Sequence, residues 1–184
     1  YKTLWCQTMS NLRLINETSF SAVSSATVTD IFTSDFDIYK VLVTGLNQND
    51  ATQNVASFRL VNTSGSIITA SNYDNAQLNI DSYGSFGEQR STNQAKLYRF
   101  LGNLNDEPDD ANATLYVFNP TSTSSYTFLL QQADSKWTNG FSSFKGIGVL
   151  KNTSAVGGIN FFSDGTAGKT ISATVRTYGL RVDN

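Results

Sequence analysis

The sequence predicts an all-β fold, an antiparallel β-sandwich of jelly-roll-like type. Short runs of alternating apolar and polar residues recur along the chain, each closed by a polar turn. No helical stripe extends beyond two turns. Proline is nearly absent, at 2 residues, while Asn, Ser and Thr recur throughout, so turn formers and β-branched residues outweigh strong helix formers. Apolar residues make up 39% of the 184 residues and aromatic residues 12%, enough for one packed core. A single domain over 1–184 is expected, with 1–19 as an N-terminal arm or first strand.

The elements follow in order. Leu12 and Leu14 alternate at the start, and 23–32 carries Val28, Ile31 and Phe32. The run D-I-Y-K-V-L-V-T-G-L (37–46) is apolar on both sides, which marks a central strand. Within 55–61, Ala56, Phe58 and Leu60 share one face, and N-T-S-G-S turns that run into 67–73. Further strands are expected at 95–101, 113–118, 125–130, 146–150, 159–162 and 170–180. The polar stretches 81–94 and 103–112 have the composition of long loops. Apolar side chains on both sides of several runs (Tyr98 and Phe100, Tyr116 and Phe118, Phe128 and Leu129) predict burial on two faces. One face would be the core and the other a neighbouring subunit.

The segment G-T-A-G-K-T (165–170) ends like a phosphate-binding loop, but Ser163 stands where the first glycine of that motif belongs. The residues after it alternate with a strand period, where a phosphate loop needs a helix. A turn between two strands is the better reading, with Gly165 and Gly168 available for positive φ.

Composition narrows the chemistry. The chain has no histidine, which removes the commonest general base and most zinc sites. Its one cysteine, Cys6, has no activating partner in the sequence, and no pair of carboxylates stands out. A non-enzymatic protein without cofactor or metal is expected. The acidic run Asp106, Glu107, Asp109 and Asp110 lacks calcium-loop spacing and is expected to be a solvated loop. A net charge of −2 gives no basic face for nucleic acid, and no apolar run is long enough for membrane insertion. The opening residues lack the basic-then-apolar pattern of a secretory leader. Tyr73, Tyr83, Phe86 and Trp137 lie among amides, carboxylates and glycines, the chemistry of a glycan site: ring faces for C–H surfaces, amides for hydroxyls.

Two stretches carry a resemblance. F-S-A-V-S-S-A-T-V-T-D-I-F-T-S-D-F-D-I-Y-K-V-L-V-T-G-L (20–46) resembles the opening of small β-rich structural proteins of tailed bacteriophages, with matches at Phe32, Asp37, Tyr39 and Val41. The ending, 152–180, is similar to the close of the same proteins, at Phe161, Gly165, Arg176, Tyr178 and Gly179. The resemblance covers both ends and leaves 62–140 unmatched. It implies a virion protein made in the host cytoplasm, of tail-appendage or fibre type, with a capsid decoration protein or a lectin-like host-glycan-binding module as alternatives. Its partners would be copies of itself, as a trimer, other virion proteins and host surface glycan.

Overall fold

A computed structural model of the chain describes residues 11–49, 53–84, 86–104, 111–137 and 140–181, with the Trp137 side chain outside that set. Among them are twelve strands in two antiparallel sheets: β1 (Leu12–Val23), β2 (Ser25–Val28), β3 (Ile38–Gln48), β4 (Asn54–Asn62), β5 (Tyr73–Asp81), β6 (Phe86–Gln94), β7 (Asn103–Leu104), β8 (Ala111–Phe118), β9 (Thr127–Trp137), β10 (Gly140–Leu150), β11 (Val156–Asp164) and β12 (Ile171–Leu180). The β-sandwich expected from the sequence is the fold observed. The larger sheet runs β1-β12-β3-β8-β9-β10-β5-β6 and the smaller β2-β11-β4-β7. Pairing is nested, so strands from the two ends of the chain lie side by side: β1 and β3 flank β12, and β2 and β4 flank β11. The hairpins β5-β6 and β9-β10 together extend the larger sheet past β8.

The central strand β3 shows how alternation fixes a face. Tyr39, Val41 and Val43 point into the core and are fully buried. A bulge between Val43 and Leu46, with Gly45 at φ 62, shifts the phase by one residue and keeps Leu46 and Gln48 inward. The sheets meet through aromatic side chains: Phe20 of β1 stacks on Phe161 of β11 at 6.2 Å, and Phe161 and Phe100 both contact Phe58. Tyr39 takes the edges of Phe32 and Phe36, and its hydroxyl binds the Thr33 backbone at 2.8 Å.

Several sequence expectations change. The run 95–101 is not a strand. Leu97, Phe100 and Leu101 are buried at spacings of three and one, which a turn satisfies and a strand does not, and Arg99 sits at φ 54. Nor does 67–73 form a strand; only Ile67 makes an isolated bridge, to Val61, and pairing begins at Tyr73. The supposed loop 81–94 contains β6, an edge strand exposed over most of its length, so no apolar alternation marked it. The loop expected at 103–112 begins as β7 and ends inside β8. The stretch 23–32 breaks into the end of β1, the short β2 and a buried turn at Ile31 and Phe32. The expected first strand within 1–19 is β1; residues 1–10, Cys6 among them, lie outside the described set. The 165–170 segment is a turn that crosses from the smaller sheet to the larger, with Gly168 at φ 83 and strand β12 after it.

Candidate functional site

The larger sheet is twice as wide as the smaller in strand number, so its β5-β6 end overhangs. That end carries polar side chains on the inner face. Asn75, Gln77, Asn79 and Asp81 alternate inward along β5, and Ala76, Leu78 and Ile80 point outward. Across the sheet, one transverse row places Gln131 of β9, Gly146 of β10, Gln77 and Gln89 of β6 in register. Gly146 has no side chain, so Gln131 and Gln77 close in above its Cα; a Cβ there would lie 2.9 Å from Gln131 Oε1 and 2.7 Å from Gln77 Cβ.

At the overhang these groups line a recess of about 240 Å³ bounded by Gln77, Asn79, Gln89, Arg99 and Phe144, with Gly87 and Glu88 on the β6 side. The 95–101 turn supplies Arg99. Its backbone amide is held by Ser57 Oγ at 3.0 Å, its Nε donates to Asn103 Oδ1 at 2.9 Å, and its guanidinium lies 5.0 Å above the Phe144 ring. Burial lowers the Arg99 pKa from its usual value, and Tyr98, Asp81 and Tyr83 work against that shift. Asp81 accepts from Asn79 Nδ2 at 2.9 Å and from Ser142 Oγ. Gln77 Nε2 donates to Gln89 Oε1 at 3.2 Å. Polar atoms are left over: Asn79 Oδ1, Gln77 Oε1, both amide atoms of Gln131 and Asn75, and Asn103 Nδ2 have no hydrogen-bond partner. Buried polar atoms are normally paired, so this concentration is unusual.

The four predicted aromatic residues are not brought together. Tyr73 is a correction: it is a fully buried core residue of β5 and not a loop ring, because its side chain bridges the sheets and its hydroxyl is taken by Leu60 N and Ile68 O. Tyr83 is 45% exposed beside the recess, its ring against Gly140. Partial desolvation, and then the charge of Asp81 that its hydroxyl meets, raise the Tyr83 pKa. Phe86 is 83% exposed and pairs with Ile80, on the opposite, outer face. Trp137 closes β9, and its side chain lies outside the described residues. So does the acidic run of Asp106, Glu107, Asp109 and Asp110. Sequence reasoning missed Gln77, Asn79, Gln131 and Arg99. The available signal was the alternation of Asn75, Gln77, Asn79 and Asp81 with Ala76, Leu78 and Ile80.

The outer face of the same strands is the second unusual surface. Phe128, Leu130, Ile147, Leu78 and Ile80 are each between 46% and 59% exposed. A transverse row runs Tyr116, Leu130, Ile147, Ala76 and Arg90. Two adjoining depressions of about 450 and 460 Å³ share Ala76, Leu130, Ile147 and Arg90.

No protein family, curated protein or solved structure matches the chain. Function is therefore read from its own surfaces.

Proposed function

We propose that the chain is a non-enzymatic structural module of a tailed-phage particle, of tail-appendage type, which assembles as a homotrimer through the outer face of the larger sheet. One observation carries this reading. A sheet with a solvated face alternates apolar-in and polar-out, yet β5 inverts the rule, with Leu78 and Ile80 outward and Gln77 and Asn79 inward. Contiguous exposed apolar surface of this kind marks an interaction site. Its rim carries both signs, Arg90 and Lys145 against Glu88 and Asp74, so opposite charges are at hand where one copy meets the next around a three-fold axis.

Two features support the phage reading. Three of the residues that carry the resemblance, drawn from both ends of the chain, meet in one place: Tyr39 packs on Phe32, and Phe36, which also packs on Tyr39, closes over Gly179, leaving no room for a Cβ. We also read the nested strand order as a jelly roll, β1-β12-β3-β8 facing β2-β11-β4-β7, enlarged by the hairpins β5-β6 and β9-β10.

Size-exclusion chromatography with light scattering on the purified chain at micromolar concentration should give a trimer, and a lone monomer would sink the reading. Placement of the subunit in a density map of the intact particle tests the appendage.

A further inference from the structure

We propose that the recess under the overhanging β5-β6 hairpin is a binding site for a neutral, hydroxyl-rich ligand of the saccharide class, contacted by Asn79, Gln77, Arg99 and Tyr83. The site is on the opposite face of the sheet from the apolar surface and does not depend on self-assembly.

The orphaned atoms specify the ligand. Asp81 is a carboxylate acceptor, and it takes the Asn79 Nδ2 donor, so the Asn79 amide is oriented with its oxygen away from Asp81. That oxygen has no partner. Gln77 is only 4% exposed, lines the recess, and also has an unpartnered carbonyl oxygen. Two unpartnered acceptors, buried on side chains that line one recess, call for donors. A carboxylate group offers none and inorganic phosphate dianion only one, and Asp81 close by repels both. An apolar ligand would leave both oxygens unpaired, at a cost in free energy. Hydroxyl groups satisfy them, and the same hydroxyl oxygens can accept from a guanidinium such as that of Arg99.

Shape agrees with this. The recess of about 240 Å³ is far larger than the share of about 30 Å³ that one bridging water takes up. Its floor is the Phe144 ring under Arg99. Tyr83, exposed at the margin, offers an aromatic face for the C–H side of a sugar ring. On the β6 side Gly87 has only Asn79 Cβ near, at 4.0 Å from where its own Cβ would be, so the edge leaves entry open.

The test uses the full chain labelled with ¹⁵N, following the side-chain amide signals of Asn79 and Gln77. The titrants are D-glucose, D-galactose and N-acetyl-D-glucosamine in one arm, and D-glucuronate and sodium phosphate in the other. At least one neutral sugar should move both signals saturably in the millimolar range, with the anions weaker. Asn79→Leu should weaken that binding about tenfold, the effect of one lost hydrogen bond with its partner left unpaired. Tyr83→Ala, at an exposed position that cannot threaten the core, should also weaken it. Silence towards all three sugars overturns the proposal, as does tighter binding of either anion, or sugar shifts that both variants leave unchanged. Diffusion measured on the same samples reports assembly separately, so failure of one reading is distinguishable from failure of the other.

Discussion

The Tyr73 hydroxyl accepts a hydrogen bond from the Leu60 amide at 3.0 Å, tying the first residue of β5 to the C-terminal end of β4 in the opposite sheet. The same hydroxyl donates to the Ile68 carbonyl at 3.0 Å, fixing the irregular segment between them. Tyr73→Phe keeps the ring and strands both backbone groups. It is expected to cost about 1–3 kcal/mol, the penalty for leaving buried polar groups unpaired, and the urea midpoint should fall with an unchanged slope.

The same phenol predicts an alkaline transition. Burial pushes its pKa from 10.0 up to about 12, against smaller opposing effects from the Leu60 amide and Arg59. Below pH 10 both folded and unfolded states keep the proton. Between pH 10 and 12 the unfolded state loses it first and binds fewer protons, so stability falls as pH rises; above 12 the loss levels off. A two-unit shift corresponds to roughly 3 kcal/mol. The stability gap between wild type and Tyr73→Phe should therefore narrow from pH 10 to pH 12, and a gap independent of pH would contradict the burial.

Leu130 and Ile147 are register partners on the outer face, each about half exposed. Leu130→Glu and Ile147→Lys, made singly, should dissociate the proposed trimer to monomers in light scattering. Neither side chain contributes to the core, so monomer stability should change by about 0.5 kcal/mol or less. A variant that stays assembled would place the interface elsewhere.

What the sequence disclosed and what it hid follow from one cause. Tyr39, Val41 and Val43 have a core on one side and sheet neighbours on both edges, so their alternation is plain in the sequence and β3 is readable. Leu97, Phe100 and Leu101 are just as apolar, but their period belongs to a turn that plugs the core beneath Gly148; a Cβ there would lie 2.8 Å from Leu97 Cδ2. β6 has no apolar period because no sheet covers it. In β5 the alternation is plain but its polarity is inverted, and periodicity alone does not say which of two faces is inside. The candidate recess is invisible for that reason: its amides occupy the positions that a core would give to apolar side chains.

Gly146 and Gly87 are on neighbouring rows of the polar inner face, and alanine should separate them sharply. At Gly146 the new Cβ would lie 2.7 Å from the Ala76 backbone oxygen, 2.7 Å from Gln77 Cβ and 2.9 Å from Gln131 Oε1. Two of those neighbours are backbone or backbone-anchored and cannot swing away, so the strands must part; a loss of about 1–3 kcal/mol is expected from overpacking. Adding Gln131→Ala removes only the most movable of the three contacts and should restore little of that loss. Gly87→Ala meets only Asn79 Cβ, at an ordinary 4.0 Å, and trims the entropy of the unfolded chain, so it should be neutral or stabilise by up to about 1 kcal/mol. Thermal and urea denaturation of the three variants checks the order. Equal tolerance at both glycines would mean that Gln77 and Gln131 do not close over β10.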